Sequence, residues 1–297
     1  MNRTKCRTDI DRHGGFSLIE MVIALVVVLG TAGVTFQLLA QNERIFRDQA
    51  TMLEMHQSVR AVAAMIADDI YSGGQGVPVF AASLESATSE HVQVFLAGTD
   101  GNRLQLRSNT EYPESVLVGN VPLLLDEGRP LSIRPRSPAF RPGVGRHVFL
   151  WGESGGTWTW ARARVDDRGP SGGFVITPLH ISSEGGLLTS PPRVAEERGL
   201  SWRLSGRSLL RGELQSFDGT GNPIFRELSV GDHFRNLEFI YRDQSGEITD
   251  PTSLAGRNAI RSVDVVVEGE TSGPLSNGSS PGYSLSMSVV PRGLSIP

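Results

Sequence analysis

The sequence predicts an α+β protein in which one long N-terminal helix packs on an antiparallel, β-rich region. Three observations lead to this prediction. Neither glycine nor proline occurs between Val34 and Ser72, apolar residues recur at helical spacing along this stretch, and short alternating runs bounded by turn residues follow it. The first quarter of the 297-residue chain therefore differs in structure from the rest.

The N-terminal segment has the pattern of a membrane anchor. Residues 1–15 are polar and net basic, and residues 16–40 are almost wholly apolar, with Glu20 as the single formally charged side chain. About 25 helical residues reach across a bilayer core of roughly 30 Å. The apolar run has no small-residue cleavage site at its end, so we predict that the anchor is retained. The basic residues before it predict a cytoplasmic N-terminus, with everything after about Gln41 outside.

Glu20 does not fit a plain anchor. A carboxylate in an apolar span costs up to about 2.5–3.5 kcal/mol at mid-membrane and less nearer the interface, so it should have a partner or a function. The string GGFSLIEM at positions 14–21 resembles the processing site of type IV prepilins and type II secretion pseudopilins. The resemblance implies that prepilin peptidase cuts between Gly15 and Phe16, that Phe16 is then N-methylated, and that Glu20 is the fifth residue of the mature chain. A single-pass anchor with a chance match is the alternative.

The same resemblance gives Glu20 a role in assembly. Cleavage would leave a cationic amine on Phe16, and Glu20 of a neighbouring subunit would neutralise it. Two buried charges that are each costly alone become a pair only when subunits pack side by side. We therefore predict that Glu20 sets the register between helices in an assembly.

Beyond the anchor, one apolar stripe predicts that the helix continues to about Ser72. The stripe consists of Ile45, Met52, Met55, Val59, Val62, Ile66 and Ile70. The glycines at 73 and 74 predict its end. The chain thus divides into a leader (1–15), the transmembrane half of the helix (16–40), its amphipathic half (41–72) and a β-rich periplasmic or extracellular head (73–297).

The head is predicted to form a system of antiparallel sheets. A hairpin is expected between residues 92–96 and 104–107, because turn residues separate these two alternating runs. The proline-rich segment 113–142 is interpreted as an irregular connection. Further strands are predicted at residues 147–151, 158–165, 174–177, 200–204, 208–211, 237–242, 262–268 and 283–290.

The order of strands near the C-terminus carries a second resemblance. The strings LSWRL at 200–204, LEFIY at 237–241 and VVPRGL at 289–294 look like the C-terminal half of PilW-like minor pilins and the related J-type pseudopilins. The resemblance implies a minor structural subunit of a type IV pilus that primes or initiates filament assembly. A J-type pseudopilin of a type II secretion system is the alternative, and so is a membrane-tethered adhesin or binding head that does not polymerise.

The resemblance also implies partners and a location. The partners would be prepilin peptidase, other minor and major pilins or pseudopilins, and an inner-membrane assembly platform. The protein would span the inner membrane once, with its head in the periplasm, and would then pass into a filament at the cell surface. The formal net charge of −4 argues against nucleic acid as a partner.

The head contains no string typical of a catalytic site, and its histidines lack metal-ligand spacing. We therefore expect no enzymatic activity and no cofactor. Oxygen-bearing side chains alternate in one loop, at Asp243, Ser245, Glu247 and Asp250, as in calcium-binding loops. An ordinary turn is the expected interpretation of this loop, and a calcium site is the alternative.

Overall fold

A computed structural model describes residues 17–73, 102–107, 115–119, 122–169, 172–182, 186–218, 222–253, 256 and 259–291. One long apolar helix is followed by antiparallel β-structure, which confirms the α+β fold class. Gly15, Phe16 and the predicted strand at 92–96 lie outside the described residues.

Helix α1 runs without interruption over Leu18–Tyr71. At 1.5 Å per residue its 54 residues are about 80 Å long. A capping box starts the helix at Ser17, and at the other end the Ser72 N–H donates to the Asp68 carbonyl. The helix therefore ends one residue before the predicted position.

The described residues form fifteen strands in four antiparallel sheets. The strands are β1 (Arg103–Arg107), β2 (Ser115–Val116), β3 (Leu123–Leu124), β4 (Leu131–Ile133), β5 (His147–Ser154), β6 (Thr157–Arg168), β7 (Phe174–Ile181), β8 (Leu187–Leu188), β9 (Arg193–Glu196), β10 (Gly199–Ser205), β11 (Ser208–Phe217), β12 (Pro223–Gly231), β13 (Phe234–Arg242), β14 (Ser262–Glu270) and β15 (Gly282–Val289). The sheet orders are β1-β10-β11-β12, β13-β14-β15, β2-β9-β5-β6-β7-β4 and β3-β8.

One sequence-based expectation about the head was wrong, and strands were missed. The segment 113–142 is not an irregular connection, because β2, β3 and β4 lie in it and β2 and β4 are the outer strands of the six-stranded sheet. These strands have two or three residues, too few to show a period of two. Strand β12 was missed because its exposed apolar residues, Ile224 and Leu228, do not alternate strictly with polar ones.

The amphipathic half of α1 packs on two sheets, the four-stranded sheet β1-β10-β11-β12 and the three-stranded sheet β13-β14-β15. Val59, Ile66 and Ile70 on the helix are almost fully buried, and α1 contacts β12, β14 and β15. Gly269 on β14 makes this close contact possible, because a Cβ there would lie 2.5 Å from Cγ2 of Val59. The N-terminal part of the predicted apolar stripe does not join this core, since Ile45 is 45% exposed.

The six-stranded sheet has a core of its own. Val148, Leu150, Val165, Ile176 and Val194 are fully buried in it, and none of them belongs to the cluster around α1. Its strands lie in the chain between β1 and β10, which pair directly with each other. The six-stranded sheet is therefore an insertion between two neighbouring strands of the helix-docked part.

A small aromatic and charged joint links the insertion to β11. The ring of His147 stacks on Phe217 with centroids 3.9 Å apart, and the guanidinium of Arg162 lies 4.9 Å from the same ring. His147 is buried, with Nδ1 3.5 Å from a carboxylate oxygen of Glu197. Burial is the largest influence on the imidazole and lowers the pKa of His147, although Glu197 opposes the shift.

His147 should make stability depend on pH in the weakly acidic range. Because its folded pKa is lowered, its contribution is present in full above the unfolded pKa of about 6.5 and is lost as the pH falls through the folded pKa. Thermal unfolding of the full chain in detergent, from about pH 8 to about pH 5, should show a falling Tm. The fall should be smaller in His147→Phe.

The matched control is His180→Phe, at a largely exposed position on β7. It should keep the pH dependence of the unmodified chain. If His147→Phe and His180→Phe have the same slope of Tm against pH, the joint does not hold a neutral imidazole.

Candidate functional site

The N-terminal half of α1 is an exposed apolar surface, here called the anchor half and defined as residues 18–39. Its most apolar 18-residue window has a mean hydropathy of 2.3 and is 0% buried in the chain. By length and composition α1 is able to cross a membrane. Its exposed large apolar side chains are those of Leu18, Ile19, Met21, Val22, Ile23, Leu25, Val26, Val27, Val28, Leu29, Val34, Phe36, Leu38 and Leu39.

The threonine hydroxyls of the anchor half form hydrogen bonds within the helix. The hydroxyl of Thr31 donates to the carbonyls of Val27 and Val28, and that of Thr35 donates to the Thr31 carbonyl. These hydroxyls therefore need no water, which suits an apolar environment. Gly30 and Gly33 have no neighbour within 4 Å of the position of an added Cβ. No contact within the described chain requires a glycine there, and both positions allow another helix to approach closely.

Glu20 lies in the first turn of α1 and takes part in its capping box. The Ser17 N–H donates to Oε2 of Glu20 at 3.1 Å, and the Ile19 N–H donates to Oγ of Ser17 at 3.2 Å. The carboxylate is thus held against the positive end of the helix dipole. Among the described residues none donates a hydrogen bond to Oε1 of Glu20. This oxygen is available to a donor that approaches the start of the helix.

The other end of α1 is fixed to the head by a buried charged cluster that sequence reasoning missed. Asp69 accepts hydrogen bonds from Nε1 of Trp202 at 2.8 Å, and from Nε and Nη2 of Arg211 at 2.8 and 3.0 Å. Asp69 and Trp202 are buried. The hydrogen bond to Asp69 raises the pKa of Arg211. The sequence does show a helical carboxylate, Asp69, next to the apolar stripe. No residue near position 69 indicates that its partners lie on β10 and β11.

The Asp69 cluster should contribute strongly to stability. Asp69→Ala would remove the acceptor of the Trp202 indole N–H and leave the Arg211 guanidinium only its contact with Glu213, at 3.4 Å. Breaking a buried charged pair costs about 3–5 kcal/mol. Because the Arg211 side chain is 28% exposed, we expect the lower part of that range. Urea unfolding of the full chain in detergent measures the difference.

Asp68→Ala is the matched control, because Asp68 is the adjacent residue of α1 and is exposed. Its free energy of unfolding should change by less than about 0.5 kcal/mol. Equal midpoints for Asp68→Ala and Asp69→Ala would show that the cluster does not hold α1 on the sheet.

The residues of the calcium alternative serve two separate turns. Oδ1 of Asp243 accepts from the backbone N–H of Ser245 and of Gly246, and Oδ1 of Asp250 accepts from that of Thr252. Hydrogen bonds from the hydroxyls of Ser245 and Thr252, followed by those from the backbone, lower the pKa of the carboxyl groups of Asp243 and Asp250. Glu247 forms an isolated β-bridge with Arg242. Within the described ranges, no group of three or more His, Cys, Asp or Glu side chains is placed to hold a metal ion.

The chain matches no protein-family model, and no curated protein is similar to it in sequence. Inferences about function therefore depend on the anchor half, on Glu20 and on the surfaces of the head.

Proposed function

We propose that the chain is a minor structural subunit of a type IV pilus, cut by prepilin peptidase between Gly15 and Phe16 and N-methylated at Phe16. The observation that carries the proposal is one continuous helix with an uncovered apolar half, whose first turn holds Glu20 just after the Gly15-Phe16 pair. The capping box accounts for one oxygen of this carboxylate, and packed helices would give the other, Oε1, a partner.

The capping box gives Glu20 a suitable orientation for pairing. It directs the carboxylate back toward the N-terminal end of α1 and uses only Oε2. Cleavage would make Phe16, the residue before Ser17, the first residue of the chain and leave a cationic amine on it. In a bundle of parallel helices, Oε1 of one subunit then meets the amine of the next, and each charge removes the cost of burying the other.

The two ends of α1 would have different roles in a filament subunit. The anchor half would lie in the inner membrane before assembly and among the helices of other pilins afterwards. The other end is fixed to the sheet by the Asp69 cluster, so the helix and the docked sheets move together. The basic leader favours a cytoplasmic N-terminus and a periplasmic head. We propose a structural role and no enzymatic one.

A membrane-tethered binding head is the second candidate, and a specific observation favours it. The six-stranded sheet is inserted between β1 and β10 and has its own core away from α1. Such an insertion adds surface to the head that helix packing does not need. A J-type pseudopilin would share the same processing and the same anchor, and differs from the first proposal only in the machine that it joins.

Glu20→Ala tests the proposal. Membrane insertion should be intact or improved, because a costly carboxylate is removed. Cleavage after Gly15 should persist, because the scissile bond is unchanged. Incorporation should fall by about tenfold or more, since the neighbouring amine would be buried without its partner. The measurement is the amount of this subunit in sheared filaments relative to the amount in membranes.

Ser17→Ala is the matched control, because it removes the other half of the capping box and keeps the carboxylate. It should be incorporated nearly as well as the unmodified chain. If Ser17→Ala and Glu20→Ala are equally defective, the capping of α1 matters and the charge pair does not. If Glu20→Ala is incorporated normally, the pairing role is refuted.

A further inference from the structure

Strand β15 leaves one edge of a sheet open. It pairs with β14 along its whole length, and no described strand pairs with its other side. An open edge presents unpaired N–H and C=O groups that another extended chain can use.

The alternation of the antiparallel ladder shows which backbone groups face outward. The Thr271 N–H donates to the Pro281 carbonyl, so this pair is a hydrogen-bonded one. Hydrogen-bonded pairs recur every second residue. In the observed register Tyr283, Leu285 and Met287 therefore bond to β14. The N–H and C=O groups of Gly282 and of the serines at 284, 286 and 288 face away from it.

This edge lacks the features that usually protect an edge strand. β15 spans eight residues with no proline and no charged side chain, and its register with β14 is regular. The other long edges differ. β12 begins with Pro223, carries Arg226 and Glu227 and has two register shifts with β11. β13 lies against β1 and β10, and the Tyr241 hydroxyl donates to the Arg103 carbonyl. β2 and β4 have at most three residues.

The surroundings of β15 specify the chemistry of an added strand. Tyr283, Leu285, Met287 and Val289 are partly buried and pack against the core below α1. An added strand would continue this pattern with apolar side chains at alternate positions. Near the start of β15 the guanidinium of Arg60 lies 6.0 Å from the Tyr283 ring centroid, and no described carboxylate forms a salt bridge with it. A carboxylate on the added strand would complement this cation.

Geometry argues against a second copy of this chain as the occupant. Two β15 edges that pair antiparallel are related by a two-fold axis perpendicular to the sheet. That axis reverses every direction in the sheet plane. α1 packs on the face of the sheet that β14 and β15 form, so the two helices would run in opposite directions. Their anchor halves would not enter one membrane from the same side.

We propose that the outer edge of β15 binds an extended segment of a different polypeptide as an additional strand, apolar at alternate positions and with an acidic residue facing Arg60. Backbone hydrogen bonds would supply affinity, and the alternating side chains with the acidic residue would supply specificity. The exclusion of a second copy as the occupant is the only step that rests on the proposed function, because that step assumes that both anchor halves lie in one membrane.

A photo-crosslinking amino acid at Ser286 of the full chain, in its native membrane, tests the proposal. The control carries the same group at Ser229, which is exposed on the protected edge strand β12. We expect an adduct from position 286 and none from 229. Mass spectrometry of the adduct should identify a segment of another protein with apolar residues at alternate positions and one acidic residue.

Two second-site variants make the test specific to the edge. Ser288→Pro removes an outward N–H and leaves the ladder to β14 intact, so the adduct should fall by about fivefold or more. Ser288→Ala keeps that N–H and should leave the adduct unchanged. Arg60→Glu should also weaken it. Thermal unfolding of each variant confirms that β15 is still folded.

The outcomes that overturn the proposal are distinct. Failure to form an adduct, an adduct unaffected by Ser288→Pro, an adduct to a second copy, or an adduct to residues 74–101 of the same chain would each refute it. Processing and filament incorporation are measured in parallel. A chain that is not processed but still gives the adduct refutes the proposed function and leaves strand addition intact.

Discussion

The structure depends on how one helix is covered along its length. The last part of α1 is buried against β12, β14 and β15 and is held by the Asp69 cluster, whereas its most apolar 18-residue window is not buried against any described residue. A helix of about 80 Å cannot be enclosed by a head whose described contacts with it begin at about Asp48. An exposed apolar half of this length is typical of a helix that lies in a membrane or among other helices.

The sequence predicted the features that are local. A helical period continues through α1 without glycine or proline after Val34, so its extent could be predicted to within one residue at the C-terminus. Most longer strands, such as β5 and β14, were also predicted, because alternation or a continuous apolar run marks them. The processing site and the pairing role of Glu20 were also inferred from adjacent residues, and they stay predictions. Each of these signals lies within a few residues of the feature that it predicts.

The features that sequence reasoning missed depend on contacts between distant residues. Nothing near Asp69 indicates that its partners are Trp202 and Arg211, more than a hundred positions away. The insertion of a six-stranded sheet between β1 and β10 likewise follows from which strands pair, and the periodicity of the sequence does not show this pairing. The same limit applies to the open edge of β15, because alternation identifies a strand but does not show whether both of its sides are paired.

The N-terminus of the mature protein tests the central claim most directly. Purification from the native membrane, followed by mass spectrometry of the N-terminal peptide, identifies both the first residue and any modification of its amine. The account predicts that the peptide begins at Phe16 and carries a methyl group on its amine. A chain that retains residues 1–15, or that begins at any residue other than Phe16, would contradict it.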